Sequence, residues 1–460
     1  KMWGLDPKAD LWKLPASHVG TYAEQDAAVT LRLWQHLQKE IAGQNLINIF
    51  QLETDLFPVL FEMKRKGVRV NLDKAEIIKN DLQKEEEKLL QSIKKLAGTS
   101  VEIWAAASVA KAFDALSIPY NHTETGKPSF DKNFLSSHES PLAKMVVKAR
   151  EINKARTTFI DSILKHSHRG RIHAEIHQMR SDQGGTVTGR FSYSNPNLQQ
   201  IPARNQIIGP LIRSIFIPEK NHQWGIFDYS QQEPRLVVHY AAIKSFTGAS
   251  KFVEAYQEEE STDFHSLVAE MADIGRKQAK TINLGLFYGM GKGKLMSQLG
   301  VDQETATDLL VAYHERVPFV KKLINDTMNR AGKKGYLRTL LGRRCRFDLW
   351  EPSNEWGSKA LPLKEATNEY GESMIKRAWT YKALNRLIQG SAADQTKQAM
   401  VNLHKEGYTA HIQVHDELDF SIASEKDSAN IKDIMENCVE LLVPSKVDVE
   451  LGESWGDAGA

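Results

Sequence analysis

Apolar positions along this chain change their spacing several times, and each change predicts a different element. Residues 21–42 carry Ala, Leu and Trp at helical spacing, and a second helical run starts near Gln51 and ends at Lys66-Gly67. Val68-Arg69-Val70 then reads as a short strand. From Asp73 to about Leu96 the pattern is a long helix rich in Lys and Glu. Its simplest reading is a solvated face with ion pairs at four-residue spacing, although a protruding Lys-rich helix pair also suits duplex phosphates. Residues 99–140 are rich in Gly, Pro, Ser and Asn, and a basic helix over Pro141–Lys165 follows with Lys144, Lys148, Arg150, Lys154 and Arg156. That block predicts a separable, loop-rich helical subdomain. A strand is expected near Arg171–Ile176, a Gly/Thr/Ser-rich connection over Gly184–Ser192, an apolar strand over Gln223–Ser230 and a helix over Leu236–Ala242. Residues 263 to about 334 are almost wholly helical in pattern, and a last strand region spans His411–Ile422. Strands separated by a long helical insertion predict an α+β fold with one antiparallel sheet assembled from distant segments.

Composition narrows the function classes without choosing among them. With 460 residues, 41% of them hydrophobic, the chain can bury several cores and accommodate two to four domains of the usual size. Its net charge of +2 means that any nucleic-acid binding must come from locally clustered Lys and Arg. Cys345 and Cys438 are the only cysteines, which argues against a disulfide scaffold or a Cys-based zinc site and fits a reducing compartment. No apolar run approaches the roughly 20 residues of a membrane span, so no membrane partner is expected. The chain begins at Lys1 without Met or a signal-like segment, so a fragment or processed form is expected.

Candidate chemistry lies in two acidic segments and the helix between them. Asp228 follows Trp224-Gly225-Ile226-Phe227 at the end of an apolar strand, where a carboxylate is costly unless a metal or a salt bridge neutralises it. Ser230-Gln231-Gln232-Glu233 fits a capping box with Pro234 in the first turn, which would make Glu233 a helix-start residue. In His411–Ile422, strict alternation puts Asp416 on the face of Ile412, Val414, Leu418 and Phe420, a conflict that a tight turn at His415-Asp416 removes by projecting Asp416 from the tip. Asp419 reads as a solvent-side strand residue. Between these acids, Arg276, Lys280 and Leu284 fall at four-residue steps with Tyr288 one turn further, so two cations and a flat ring line one side. Gly285 and Gly289 each cost a helix about 1 kcal/mol relative to Ala, which invites a reason such as close approach of a planar base. Two acids around a triphosphate-sized basic stripe point to templated nucleotide transfer.

These segments resemble the three polymerase motifs of family A (DNA polymerase I type) DNA polymerases. Thr188-Gly189-Arg190-Phe191-Ser192 and the residues on to Pro202 look like that family's primer- and template-contacting loop, and Asn385-Arg386-Leu387-Ile388-Gln389-Gly390 looks like its minor-groove-reading helix. The resemblance starts near Leu52 and runs to the C-terminus. It implies a right-hand polymerase with an antiparallel palm sheet, helical fingers and a helical thumb. Its divisions would be an exonuclease-like remnant at 1–48, thumb at 49–165, palm at 166–233 and 379–460, and fingers at 234–378. It implies two Mg²⁺ ions, with Mn²⁺ able to substitute, on Asp228 and Asp416, with Glu417 a further catalytic candidate. Arg276, Lys280 and His265 would meet the triphosphate, Tyr288 would pack beside the nascent pair, and Gln231 and Leu284 would complete the nucleotide site. Glu233 would fill the space near the 2′ carbon and exclude ribonucleotides. Arg190, Arg213, Asn385, Gln389 and His415 would contact primer-template DNA, largely through acceptors that vary little with sequence.

The implied partners are primer-template DNA, dNTPs and accessory replication proteins, and a monomer suffices. The implied role is replication or repair in the cytoplasm of a bacterial or phage-infected cell, with an organellar origin open; Lys382-Ala383-Leu384-Asn385 has a phage and organellar flavour. Tyr22 and Asp26 are similar to the last motif of the family's 3′-5′ exonuclease, but no upstream Asp-x-Glu accompanies them, so proofreading by this chain is not expected. Gln232 stands where the family usually has an aliphatic residue, Pro234 where it has Leu, and Leu284 where Phe or Tyr is common, which predicts altered sugar discrimination. A two-metal nuclease leaves Arg276, Lys280 and Tyr288 without purpose, a basic DNA-binding protein leaves the acids unexplained, and Glu233 disfavours a single-subunit RNA polymerase.

Overall fold

A computed structural model of the chain describes residues 10–179, 185–203, 205–355 and 357–459. Gly184, at the start of the expected Gly/Thr/Ser-rich connection, and the first nine residues of the expected remnant lie outside them. Helix α1 (Ala16–Gly43) buries none of its side chains, whereas α2 (Ile47–Lys66) buries Leu52, Leu56, Val59, Leu60 and Met63. It begins four residues earlier than the sequence pattern suggests. Strand Val68–Val70 pairs antiparallel with Arg171–Ile172 and Phe216–Ile217. Asn71 caps α3 (Leu72–Ala97) by accepting the Lys74 N–H at 2.9 Å, and Gly98 at φ 70° ends it.

Helix α4 (Pro141–Lys154) packs along α3. Besides the Lys84–Asp81 pair within α3, charges tie α3 to the elements beside it: Lys148 of α4 reaches Glu85 at 2.7 Å, and Arg156, just beyond α4, reaches Glu86 at 2.9 Å. The basic helix does not run unbroken to Lys165, because a π turn over Ala155–Ile160 intervenes. At the far end of the helix pair, Ile93, Ile103, Val109, Phe113, Phe130, Leu135 and Val146 form a core of their own. Arg150 pins the loops there by donating to the carbonyls of Ile103 and Phe130, each at 2.7 Å. A separate core is what a separable subdomain requires.

The central sheet has β1 (Gln223–Tyr229), β2 (Ile412–Val414), β3 (Glu417–Ile422) and β4 (Val447–Gly452) in the antiparallel order β2-β3-β1-β4. The α+β expectation holds, with β4 an addition that the alternation Val447-Asp448-Val449-Glu450-Leu451 could have revealed. Period two puts Phe227, Tyr229, Leu418, Phe420 and Val447 on one face and Trp224, Ile226, Asp228, Glu417, Asp419 and Asp448 on the other. Asp419 is not a solvent-side residue: it is fully buried, and Trp224 Nε1 donates to its Oδ1 at 3.2 Å. The assumption of one wet face fails because the short helix Trp455–Ala458 covers that face, stacking Trp455 on Trp224 with ring centroids 6.1 Å apart.

Residues 263–334 are almost wholly helical as expected, and with the helices before them the block's principal members are α5 (Gln232–Ile243), α6 (Phe264–Ala272), α7 (Arg276–Phe287) and α8 (Gln303–Arg316). They share a second large core containing Val237, Phe252, Phe264, Ile282, Phe287, Tyr313 and Leu323. Residues 336–377, expected to continue helical fingers, instead contain a hairpin, Tyr336–Arg338 with Arg344–Arg346, and a small sheet centred on Leu349–Pro352. Arg338 and Arg346 of that hairpin hold the α1–α2 turn: Arg338 Nη2 donates to Gln44 O at 2.6 Å and Arg346 Nη2 to Gln44 Oε1 at 2.8 Å.

Helix α9 (Ala383–Lys405) contacts α2, α5 and α10 (Glu425–Asn437), and α10 lies against β3 and β4 on the apolar face of the sheet. Buried side chains of α2 join the same core as the sheet. A buried ionic cluster marks the junction of α2, α9 and the hairpin. Lys397 Nζ meets Glu53 at 2.7 Å, and Arg343 meets both Asp394, at 2.8 Å, and Glu53.

Candidate active site

Asp228 sits at the penultimate position of β1, and the β2–β3 turn at His415-Asp416 folds against the same strand end, where Tyr229 N–H donates to Asp416 O at 3.3 Å. His415 takes φ 59°, which reverses the chain and leaves its ring exposed. The turn expected from the sequence is therefore the device that brings the second acid to the first. Burial, followed by the charges of Asp416, Glu417, Asp448 and Glu450, pushes Asp228 well above the ordinary carboxylate range. Asp416 is also raised, chiefly by burial, with a backbone hydrogen bond in its own turn and Arg190 opposing. Neither acid makes an ion pair among the described residues, so the salt-bridge alternative for Asp228 falls away.

Like charges held together with oxygen-only donors fit a hard divalent cation. Among the described residues no three or more His, Cys, Asp or Glu close into a metal cage. An open pair of carboxylates suits a cation that keeps water and substrate oxygens in its shell. Glu417, opposite Asp228 in register, points its Oε1 to Trp455 Nε1, 3.1 Å away. Arg213, expected on DNA, stacks over the Trp455 ring at 4.3 Å and counters the rise that burial imposes on Glu417.

The capping box does not form. Gln231 is the N-cap of α5 at φ 53°, with its side chain engaged elsewhere: Oε1 accepts from Phe264 N–H at 2.8 Å and Nε2 donates to Thr262 O at 3.1 Å. Glu233 is thereby free to join two other expected site residues, accepting from Arg190 Nη2 at 2.7 Å and from the Tyr288 hydroxyl at 2.9 Å. Burial raises Glu233, with Arg190 and Tyr288 opposing, and burial with the Glu233 charge moves Tyr288 up to about 12.

Arg276 and Lys280 stand exposed on α7, and Arg276 Nε donates to Asp263 Oδ2 at 2.6 Å. Burial would raise Asp263, but hydrogen bonds from Arg276 and Ser266 hold it at about 2. His265 is lowered to about 4 by burial, with Lys280 and Arg276 adding to the effect, so its ring is neutral near pH 7. Leu284 is half-buried on the same helix.

The two glycines need no base to explain them. A Cβ on Gly285 would come within 3.2 Å of Met290 Sδ, while Gly289 lies beyond the helix at φ 68° with Tyr381 O 2.7 Å from any added Cβ. The protein's own neighbours occupy that space. Two buried residues escaped the sequence reading: Tyr313 donates to Asn283 Oδ1 at 2.6 Å, and Asn283 Nδ2 lies 3.0 Å from His265 Nδ1. An amide beside Ile282 on the buried face of an amphipathic helix was the available signal.

Asn385 and Gln389 lie four residues apart, half-buried, in the first turns of α9. Gly390 lets the loop carrying Arg190 pass close by, since a Cβ there would sit 3.3 Å from Thr188 O. Arg190, Phe191, Gln199, Gln413 and His415 line one narrow recess. Tyr22 and Asp26 are exposed on α1, outside this constellation.

Comparison with known proteins gives the arrangement a context. The model of DNA polymerase family A matches residues 72–457. The chain is 37% identical to a DNA-directed DNA polymerase of Pseudomonas phage M6, over 99% of this chain and 73% of the relative. It is 31% identical to the thermostable DNA polymerase I of Thermus filiformis, over 95% of this chain and 51% of that protein. Among solved structures it is similar to the POL domain of Pol1 from M. smegmatis, in complex with DNA primer-template and dNTP, with a TM-score of 0.77 and 27% identity over 94% of this chain and 75% of the other. The right-hand polymerase fold expected from the sequence is consistent with that likeness.

Proposed function

The chain belongs to DNA polymerase family A and makes DNA on a template, and we propose that it does so at Asp228 and Asp416, joining a dNTP to a primer 3′-hydroxyl with release of pyrophosphate. The observation that carries this reading is the meeting of two acids, neither in an ion pair among the described residues, beside the Glu233–Arg190–Tyr288 group. Bound divalent cations, Mg²⁺ or Mn²⁺, would neutralise the acids and favour ionisation of the attacking hydroxyl.

The chain's own residues supply the rest. Arg276 and Lys280 grip the triphosphate and offset the charge that grows on it, a contribution that positioning and electrostatics dominate in phosphoryl transfer. His265 donates an N–H to the same group. The Glu233 carboxylate, fixed from two sides, fills the space beside the 2′ carbon, so a ribose hydroxyl would collide with a group that cannot swing away. Leu284 meets the sugar with a branched aliphatic surface, and Tyr288 lies beside the new pair. Arg190, Asn385, Gln389 and His415 face the primer-template. Glu417, hydrogen-bonded by Trp455 with the Arg213 charge nearby, shapes the field around Asp228. On this reading residues 49–165 are the thumb, 166–233 and 379–460 the palm and 234–378 the fingers, with 1–48 an exonuclease-like remnant. Kinship with phage and bacterial enzymes supports a role in replication or repair.

Primer extension tests the reading directly. Extension is expected with dNTPs, not with rNTPs, and not with Asp416→Ala; extension that survives Asp416→Ala would remove the chemistry from this site.

A further inference from the structure

The buried chain Tyr313–Asn283–His265 serves no packing need that apolar residues would not meet more cheaply. Asn283 and Tyr313 are fully buried and His265 nearly so, and polar groups at such depth are costly unless each is satisfied. They belong to three helices, α8, α7 and α6, and meet at the corner where Arg276 and Lys280 stand.

The distances give the contacts a direction. At 2.6 Å, the Tyr313–Asn283 contact is short for an amide N–H donor and normal for a hydroxyl donor, so the phenol gives its proton to Asn283 Oδ1. That fixes the amide with its NH₂ toward His265, and an amide nitrogen can only donate. His265 Nδ1, 3.0 Å away, must then accept. In a neutral imidazole the proton is left on Nε2, which has no hydrogen-bond partner among the described residues.

We propose that Tyr313 and Asn283 are positioning residues which lock His265 in the Nε2–H form, so that a neutral ring aims one N–H donor at the triphosphate. This rests on the reading above that His265 meets the triphosphate. The arrangement has a chemical purpose: Arg276 and Lys280 already supply charge, whereas a fixed neutral donor adds direction without a third cation that would repel them.

Two independent measurements test the proposal. In protein labelled with ¹⁵N-histidine, the His265 resonances, assigned by their loss in His265→Ala, should show the Nε2–H form at neutral pH; the Nδ1–H form would overturn the proposal and leave the polymerase reading intact. In steady-state incorporation, Tyr313→Phe, which removes only the hydroxyl, and Asn283→Leu should each raise the dNTP KM roughly tenfold, with a smaller effect on kcat, the loss expected for one hydrogen bond to a charged group. In a His265→Ala background both changes should lose their effect on KM. If they cost as much without His265 as with it, the chain is structural packing and the proposal fails. If His265→Ala leaves the dNTP KM unchanged, the triphosphate role of His265 itself is wrong.

Discussion

Glu233 makes two hydrogen bonds that its sequence context did not suggest, because a capping box would have turned its carboxylate back to the helix start. Held by Arg190 and Tyr288, it can act as a rigid obstacle. Glu233→Ala is expected to raise ribonucleotide incorporation at least roughly tenfold relative to dNTPs, on the scale of one lost steric or hydrogen-bonded contact; unchanged discrimination in single-nucleotide assays would end the assignment. On the proposed reading Leu284 offers the surface beside the sugar. Leu284→Tyr is expected to shift the ratio of dideoxy- to deoxynucleotide incorporation, and identical ratios would separate position 284 from the sugar.

The pH behaviour of the acids also belongs to single residues. Asp228 has a folded-state pKa raised above its ordinary 3.8, so the native state holds the extra proton between those values. Its stabilising contribution is present below the unfolded pKa and is lost as pH rises through the folded one. Metal-free protein should therefore lose stability as pH climbs from about 4 toward weakly basic values, and saturating Mg²⁺ should flatten that slope in thermal melts. Asp228→Asn should abolish extension yet stabilise the metal-free protein by about 1 kcal/mol at pH 8. These two acids were legible in the sequence because each ended or interrupted an apolar strand pattern. Asn283 and Tyr313 were not, since 30 residues separate partners that meet only after α7 and α8 pack.

Between elements, the charged junction of α2, α9 and the Tyr336–Arg346 hairpin stands out. Removing one member of a buried ion cluster leaves the others unpaired, and Lys397→Met should cost about 3 kcal/mol, visible as a lower denaturation midpoint. If it is neutral, Arg343 alone satisfies Glu53. Long elements were readable in advance: α1, α3, β1 and the β2–β3 hairpin all follow sustained periodicity. The strands within 336–377 are two to four residues long and carry too few side chains to show a period. The glycines at 285 and 289 misled for a related reason, since what approaches them comes from Met290 and Tyr381, whose placement no local pattern reveals.

Across the whole molecule, the core at the far end of α3 and α4 is distinct from that of the sheet. It should open at lower free energy than the central sheet, so hydrogen exchange within residues 99–140 should be faster than in β1. Phe113→Ala, a truncation worth about 3–5 kcal/mol, should melt that region while single-nucleotide addition survives; loss of both together would mean that the two cores cooperate. The four-stranded sheet presents the opposite case. Its polar face gathers Asp228, Glu417 and Asp419 where neutral side chains would rest more comfortably. A library of this chain sorted for heat resistance alone, in a chelating buffer, would enrich first for variants that cannot copy DNA.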